Sequence, residues 1–316
     1  MQNLTFSQPT LLTLSFGEMT EIKYVYSVIV LLFFTMIILS NCSVILIIVL
    51  HKSLQEPMYI FISALCVNGL YGSVIFFPSL FINLLSQIQT ISYIGCIIQI
   101  FGIHTYMGCE ITVLAIMAFD RYVCICNPLR YYSIMTYDLM FRLIAAAWVY
   151  NVVLIFVLVI LTIHLPLCDS VIQKIYCDNW SVVKLSCIDT TVNNIYGLLI
   201  TSVMGCLPGC IYLSYLQILR VCLKSSKDFR AKAVYTCVPH LVSLTYFSSN
   251  TFSEILLLRY PLNMPYELKT IISLQSYVIT PLLNPLIYGL KMKEIRVKIL
   301  ESFCLKTKTL QTDVEI

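Results

Sequence analysis

Seven long runs of mostly apolar residues dominate this chain, at approximately 25–50, 58–82, 97–123, 141–164, 193–219, 236–258 and 268–290. A helix needs roughly 20 apolar residues to cross the hydrocarbon core of a bilayer. The breaks between the runs carry charge, proline or polar clusters, as in HKSLQEP, NPLRYYSIMTYD and KSSKDFRAK. Only 11% of the 316 residues are charged and 59% are hydrophobic, against about 25% charged in soluble domains. A water-soluble fold of this length cannot hide so much apolar surface, whereas lipid can solvate it. Open loops and sheet edges cannot cross lipid, because nothing there satisfies their backbone groups. The alternating segments of about ten residues that mark a membrane barrel are absent. The expected fold is therefore an all-α membrane protein, a seven-transmembrane helix bundle in one domain.

Orientation follows from Lys and Arg. With the N-terminus outside, the inner side holds 15 of the 20 basic residues, among them Lys52, Arg130, Arg220, Lys224, Lys232 and Lys293. The outer side keeps Lys23, Lys174, Lys184, Arg259 and Lys269. This bias agrees with the positive-inside rule. The expected organisation is an extracellular N-terminus (1–24), a receptor-sized bundle (25–290) and a cytoplasmic segment (291–316). In that last segment Met292 to about Phe303 reads as a short amphipathic helix on the inner membrane surface. The start of the chain lacks a basic n-region, and LLTLSF is too short for a convincing secretory core. The first apolar run is thus expected to act as an uncleaved signal-anchor at the plasma membrane. Asn3-Leu4-Thr5 is a glycosylation sequon on the outer side. Asn41-Cys42-Ser43 falls within an apolar run, and Asn179-Trp180-Ser181 is a weaker outer candidate. The net charge of +4 is modest, and the basic residues form no nucleic-acid stripe.

Of the 14 cysteines, most lie in spans, where a free thiol is a small buried hydrophobe. Cys96, Cys168, Cys177 and Cys187 stand at the predicted outer face, which matures in an oxidising compartment. Four cysteines allow three pairings, and the residues alone do not choose among them.

At the inner end of the third run the chain reads MAFDRYVCICNPLRYYSIMT, residues 117–136. Other segments fall in a fixed order around it: Asn41, then Glu56-Pro57-Met58-Tyr59, Ser214-Tyr215 with Ile218, and Lys232-Ala233-Val234-Tyr235-Thr236-Cys237 followed by His240-Leu241. Pro281-Leu282-Leu283-Asn284-Pro285-Leu286-Ile287-Tyr288 and Lys293-Glu294-Ile295-Arg296 close the set. This pattern resembles the vertebrate odorant receptors, a branch of the rhodopsin-like G-protein-coupled receptors, over nearly the whole chain. The resemblance implies disulfides Cys96–Cys177 and Cys168–Cys187. It implies a small-molecule odorant as ligand and a stimulatory heterotrimeric G protein as partner, with a rise in cyclic AMP. It assigns coupling and switching to Asp120, Arg121, Tyr122, Tyr215, Asn284, Pro285 and Tyr288. In the resting state Asp120 can pair with Arg121 and lower the cost of a partly buried guanidinium.

Two positions depart from the family pattern. The acid usually found in span two falls at Gly69, beside Asn68, and Ser248 stands where a Tyr is common. Glu110 remains in mid-span, where an ionisable group is costly and marks a functional position. No cofactor is expected beyond a sodium ion, which Glu110 could hold with Asn68 and Asn284; alternatively Glu110 stands protonated and hydrogen-bonded.

The ligand is expected in the outer half of spans three, five and six. Ile103, His104, Met107, Gly108 and Ile111 follow helical spacing below Cys96, and Glu254, Ile255, Leu256, Leu199 and Arg259 are further candidates. The resemblance to the water-soluble-odorant class, which uses a His and an Arg for acidic ligands, points to His104 and Arg259 and to an acid or amino acid. Arg can grip a carboxylate through two parallel hydrogen bonds. His104 can be protonated or, when neutral, donate one hydrogen bond. Glu254 can receive an ammonium group or face another helix.

Other function classes fit less well. A transporter predicts repeated halves with matching broken helices, and neither is present. An intramembrane enzyme has no HExxH or GxSxG to work with, and its four His residues, at 51, 104, 164 and 240, are dispersed. A non-olfactory receptor of the same architecture would differ by where it is expressed.

Overall fold

The computed structural model describes residues 9–17, 21–259, 264–291 and 295–298. Seven long helices form the bundle: α1 (Ile22–Leu50), α2 (Pro57–Leu85), α3 (Tyr93–Cys126), α4 (Tyr137–Ile163), α5 (Thr191–Leu223), α6 (Lys227–Arg259) and α7 (Tyr266–Lys291). Each is longer than the apolar run that announces it. The first helix begins at Ile22, inside the segment expected to precede the bundle. Residues 295–298 are helical. The remainder of the expected C-terminal amphipathic helix, and Asn3 with its sequon, lie outside the described residues.

On length and composition alone, α1, α2, α4, α5 and α7 are apolar enough to cross a membrane. The other two long helices carry more polar residues, and several of these are buried. Gln99, Thr105, Glu110, Asp120 and Arg121 on α3 are hidden, as are His240, Ser243, Asn250 and Glu254 on α6. Large aliphatic side chains take the opposite face, as with Leu32 and Leu39 on α1, both more than half exposed. Lipid is the solvent for that face, and the polar groups meet partners inside the bundle.

Helix ends follow local chemistry. Ser92 caps α3 by accepting from Gly95 N, and Thr136 caps α4 by accepting from Leu139 N. Pro57 opens α2 at a position whose N–H needs no helical partner. Prolines inside α2, α5, α6 and α7 remove further ladder bonds, which neighbouring helices and side chains can offset.

One end of the bundle carries a small sheet that the apolar runs do not foretell. β1 (Leu11–Leu14) lies between β2 (Thr90–Ser92) and β3 (Val171–Ile172). β1 runs antiparallel to β2, with Leu12 opposite Ile91, and parallel to β3, with Leu14 opposite Ile172. Leu12, Leu14 and Phe16 are buried. The LLTLSF run is therefore a strand whose alternate residues turn inward. Gly17, at φ +73°, takes a left-handed conformation that a glycine adopts without strain, and it sits against the Tyr266 ring.

Candidate functional site

Disulfides Cys96–Cys177 and Cys168–Cys187 close the sheet-bearing end, with Cα–Cα separations of 5.4 and 5.3 Å. They are the pairs that the family resemblance implies. The first ties α3 to the long loop before α5. Gln99, one turn beyond Cys96 in α3, accepts from Cys177 N at 2.9 Å beside it. The second folds that loop on itself. Asn179 in the loop is buried and accepts from Thr162 Oγ1 at 2.7 Å, so its sequon is not displayed to solvent. Asn41 is also buried, bonding Pro281 O at 2.9 Å between α1 and α7.

At the opposite end Arg121 Nε donates to Asp120 Oδ2 at 2.8 Å, and Arg121 Nη2 contacts the same oxygen. The other oxygen, Oδ1, accepts from Tyr131 Oη at 2.8 Å. Asp120 is fully buried and Arg121 nearly so. The sequence points to the pair but not to Tyr131, which reaches back from the short helix Tyr131–Ile134. Tyr122 is half-buried and packs against Val123, Tyr131 and Met135. Tyr215 on α5 donates to His240 Nδ1 on α6 at 2.6 Å. The His240 Nε2–H in turn meets Leu114 O on α3 at 2.9 Å. A carbonyl only accepts, so Nε2 carries the hydrogen and Nδ1 is left to accept from Tyr215. One imidazole thus joins three helices. Tyr288, after the Asn284-Pro285 step in α7, is wholly buried.

Midway along the bundle, Glu110 Oε1 accepts from Asn284 Nδ2 at 2.6 Å, and Oε2 accepts from Asn68 Nδ2 at 2.8 Å. Asn68 Nδ2 also donates to Tyr106 O at 3.0 Å, which fixes the amide's orientation. Both carboxylate oxygens are therefore met by amide hydrogens. Gly69, in place of an acid, leaves room for Asn41 Oδ1 and Pro281, each 3.4 Å from where its Cβ would stand. Among the described residues no cluster of three or more His, Cys, Asp or Glu could hold a metal.

A cavity of about 380 Å³ lies between this cluster and the disulfides. Ile103, His104, Met107, Gly108 and Ile111 of α3 form one wall, while Glu254, Ile255 and Ser248 belong to the α6 side. Leu199 and Leu256 are not among the lining residues; Leu199 is 58% exposed on the outside of the bundle. The size suits a small organic molecule. Gly108 lets α4 approach closely: an added Cβ would stand 2.2 Å from Asn151 Oδ1.

The roof is built by loop residues to which the spacing of apolar residues gives no clue. Lys174 Nζ bonds Glu254 Oε1 and lies 3.5 Å from Asp178 Oδ2. Tyr176 Oη donates to Glu254 Oε1 at 2.9 Å, and Ser273 Oγ donates to Oε2 at 2.8 Å. Glu254 therefore already has a cation, supplied by the chain itself. Burial alone would raise the Asp178 carboxyl, but the Lys174 ammonium and the Ser181 hydroxyl and N–H hold it below the ordinary carboxylate range. Burial would likewise lower the Lys174 ammonium, and Asp178 with Glu254 hold it above its usual value.

Arg259 does not line this cavity. It lines a smaller one of about 100 Å³, which shares His104, Asp178, Ile200, Thr201 and Ile255 with the first. Its guanidinium lies 4.2 Å from the Trp180 ring centroid and donates to Asn194 Oδ1. No carboxylate pairs with it among the described residues. His104 Nδ1 donates to Ile100 O at 2.8 Å. A neutral His104 therefore offers Nε2 as an acceptor, and it donates to a ligand only when protonated. This corrects the expectation of a neutral donor.

The chain's similarity to known proteins agrees with this geometry. The olfactory receptor family model matches residues 29–306. Olfactory receptor 51E1 of Homo sapiens is 36% identical over 272 residues, covering 85% of this chain and 86% of that protein. Olfactory receptor 51G2 of Homo sapiens is 34% identical, covering 84% and 85%. Olfactory receptor-like protein OLF3 of Canis lupus familiaris is 35% identical, covering 85% of each. A bundle of apolar helices enclosing a cavity matches what such a receptor requires. The chain belongs to the olfactory receptor family: it is a multi-pass plasma-membrane receptor, not an enzyme, that detects odorants and signals through a G protein to cyclic AMP.

Proposed function

We propose that the receptor answers to small acids of the water-soluble kind, and best to those that also carry an ammonium group, such as small amino acids. The observation that carries this reading is the side cavity in which Arg259, His104 and Asp178 meet, continuous in its lining with the larger apolar chamber. A carboxylate leaving water needs a cation. Arg259 can supply one through N–H groups that Asn194 leaves over. Asp178, held ionised by Lys174, repels an unaccompanied carboxylate but attracts an adjacent ammonium. Neutral His104 presents an acceptor to the same ammonium. The apolar tail then lies along Met107 and Ile111.

In this reading the disulfide-bearing end faces outside and the Arg121 end faces the cytoplasm, with the N-terminus extracellular. Asp120, Tyr131 and Arg121 hold the resting state. Activation moves α6, and with it His240, away from α3, and frees Arg121 for the G protein.

The test compares a small amino acid, its methyl ester and the matching plain carboxylic acid in a cyclic-AMP reporter assay. Wild type should prefer the amino acid. Arg259→Ala should raise its effective concentration about ten-fold to a hundred-fold, the loss of a charge-assisted bond of roughly 1.5–3 kcal/mol. His104→Ala should cost less. An ester as potent as the amino acid on wild type removes the Arg259 reading.

A further inference from the structure

The chamber wall between α5 and α6 is incomplete. Gly205 on α5 and Phe252 on α6 both line the chamber, yet both also stand on the outward faces of their helices. Gly205 is exposed, and a Cβ added there would meet no atom within 4 Å. Phe252 is 62% exposed and follows Thr245 and Ser249, also exposed, at helical spacing along the lipid side of α6. A residue faces both ways only where the wall has a slot. Hydrogen bonds between the same two helices bracket that slot. Arg259 donates to Asn194 Oδ1 toward the disulfide-bearing end, and Tyr212 Oη meets Thr245 Oγ1 at 3.0 Å toward the Arg121 end. The side cavity that holds Arg259 belongs to this seam too, against Gly197, and Gly205 stands about 12 Å farther along α5. Above the chamber, by contrast, Tyr176, Cys177, Asp178 and Glu254 are buried, and the Lys174–Glu254 ion pair ties the loop to α6.

We propose that the slot is a portal to the bilayer, through which ligands with an alkyl tail enter and leave the chamber sideways. An amphiphile in the outer leaflet keeps its polar head at the water boundary and its tail in the hydrocarbon. The seam repeats that order, with Arg259 at the outer end and Gly205, Pro208 and Phe252 deeper. Such a molecule passes without turning over, and its charge never crosses the apolar depth. The membrane also gathers it, by about four-fold for each CH2 added to the tail. The portal thus extends the ligand class proposed above to acids with an alkyl tail. It rests on the chamber as the ligand site, but not on the head group that the ligand carries.

The experiment uses the full-length receptor in lipid vesicles, mixed rapidly with octanoate and, in parallel, with octan-1-ol. Occupancy is followed by tryptophan fluorescence, since Trp180 stands on the side-cavity wall. Gly205→Leu places a side chain in open space and plugs the slot, whereas Phe252→Ala widens it. Association and dissociation of octanoate should both slow about ten-fold in Gly205→Leu, while Kd shifts by no more than about three-fold, because a portal sets rates and not the depth of the bound well. Both rates should rise in Phe252→Ala, which keeps the test intact if Gly205→Leu folds poorly. Lys174→Met, which loosens the roof, should leave the association rate near that of wild type. Octan-1-ol that binds as tightly as octanoate and shows the same rate pattern supports the portal and counts against the acid reading. The portal is overturned if Gly205→Leu, or Phe252→Ala should the former not fold, associates at the wild-type rate. It is equally overturned if Lys174→Met speeds association, which would place the route in the roof, or if neither probe binds wild type.

Discussion

The two ends of this bundle are held by different chemistry. At one end two disulfides, a three-stranded sheet and a buried ion pair fasten the long loop to α3, α6 and residues 11–14. At the other end α3, α5 and α6 meet through Tyr215, His240 and the Leu114 carbonyl, while Asp120 holds Arg121 and Tyr131. Covalent links do not exchange on the timescale of signalling, whereas hydrogen bonds and ion pairs do. A receptor needs such a division: a chamber of stable shape where the ligand is read, and contacts that can be remade where the partner is engaged.

The largest effect should come from the fixed end. Removing a structural disulfide typically costs about 2–5 kcal/mol, a large part of a protein's net stability. Cys96→Ser should therefore abolish surface delivery, measured by labelling intact cells, and Cys168→Ser should reduce it less because its loop is shorter. Equal surface levels for both variants and wild type would erase the contrast between the ends.

At the remade end, Arg121→Ala should reach the surface and give no cyclic-AMP response to any agonist. It also leaves Asp120 buried beside Tyr131 without its cation, so some loss of thermal stability should accompany the loss of signal. A normal response at equal surface expression would show that Arg121 only anchors the helix.

The roof offers an intermediate case. Lys174→Met removes the cation shared by Asp178 and Glu254, and agonist potency should fall about ten-fold, in line with a charged hydrogen bond of roughly 1.5–3 kcal/mol. Unchanged potency would mean the roof is fastened by the disulfides alone. The smallest effect should be that of Tyr131→Phe, which removes one bond to Asp120 and should raise agonist-independent cyclic AMP about two-fold to five-fold, for a hydrogen bond worth roughly 0.5–1 kcal/mol. A silent Tyr131→Phe would restrict the resting contacts to Asp120 and Arg121.

What could be read beforehand depended on whether neighbours in space were also ordered in sequence. Helical spacing brought Ile103, His104, Met107, Gly108 and Ile111 to one wall, because a helix converts spacing into a face. The apolar runs located the helices, because lipid sets a length. Lys174 and Tyr176 were not legible, since a loop has no period and their partner Glu254 lies about eighty residues away, and Asp178 joins them only through Lys174. For the same reason the sequence could place Arg259 at the right depth but not tell that it faces Trp180 and Asn194 in a side chamber. Glu110 was visible as an ionisable group in mid-span, yet only the orientation of Asn68 and Asn284 shows that it is met by amide hydrogens.

The strand near the start of the chain has a practical bearing on how this receptor can be handled. Residues 11–14 are stitched to two loops, and the Ser15 carbonyl accepts from Tyr266 on α7. An epitope inserted within residues 9–17 would unpick that seam and disturb the loop that roofs the chamber. The same epitope fused ahead of residue 9 leaves the seam whole. A chain trimmed to Ile22 would keep all seven helices yet leave the backbone edges of β2 and β3 that pair with β1 unpaired, at the loop that roofs the chamber.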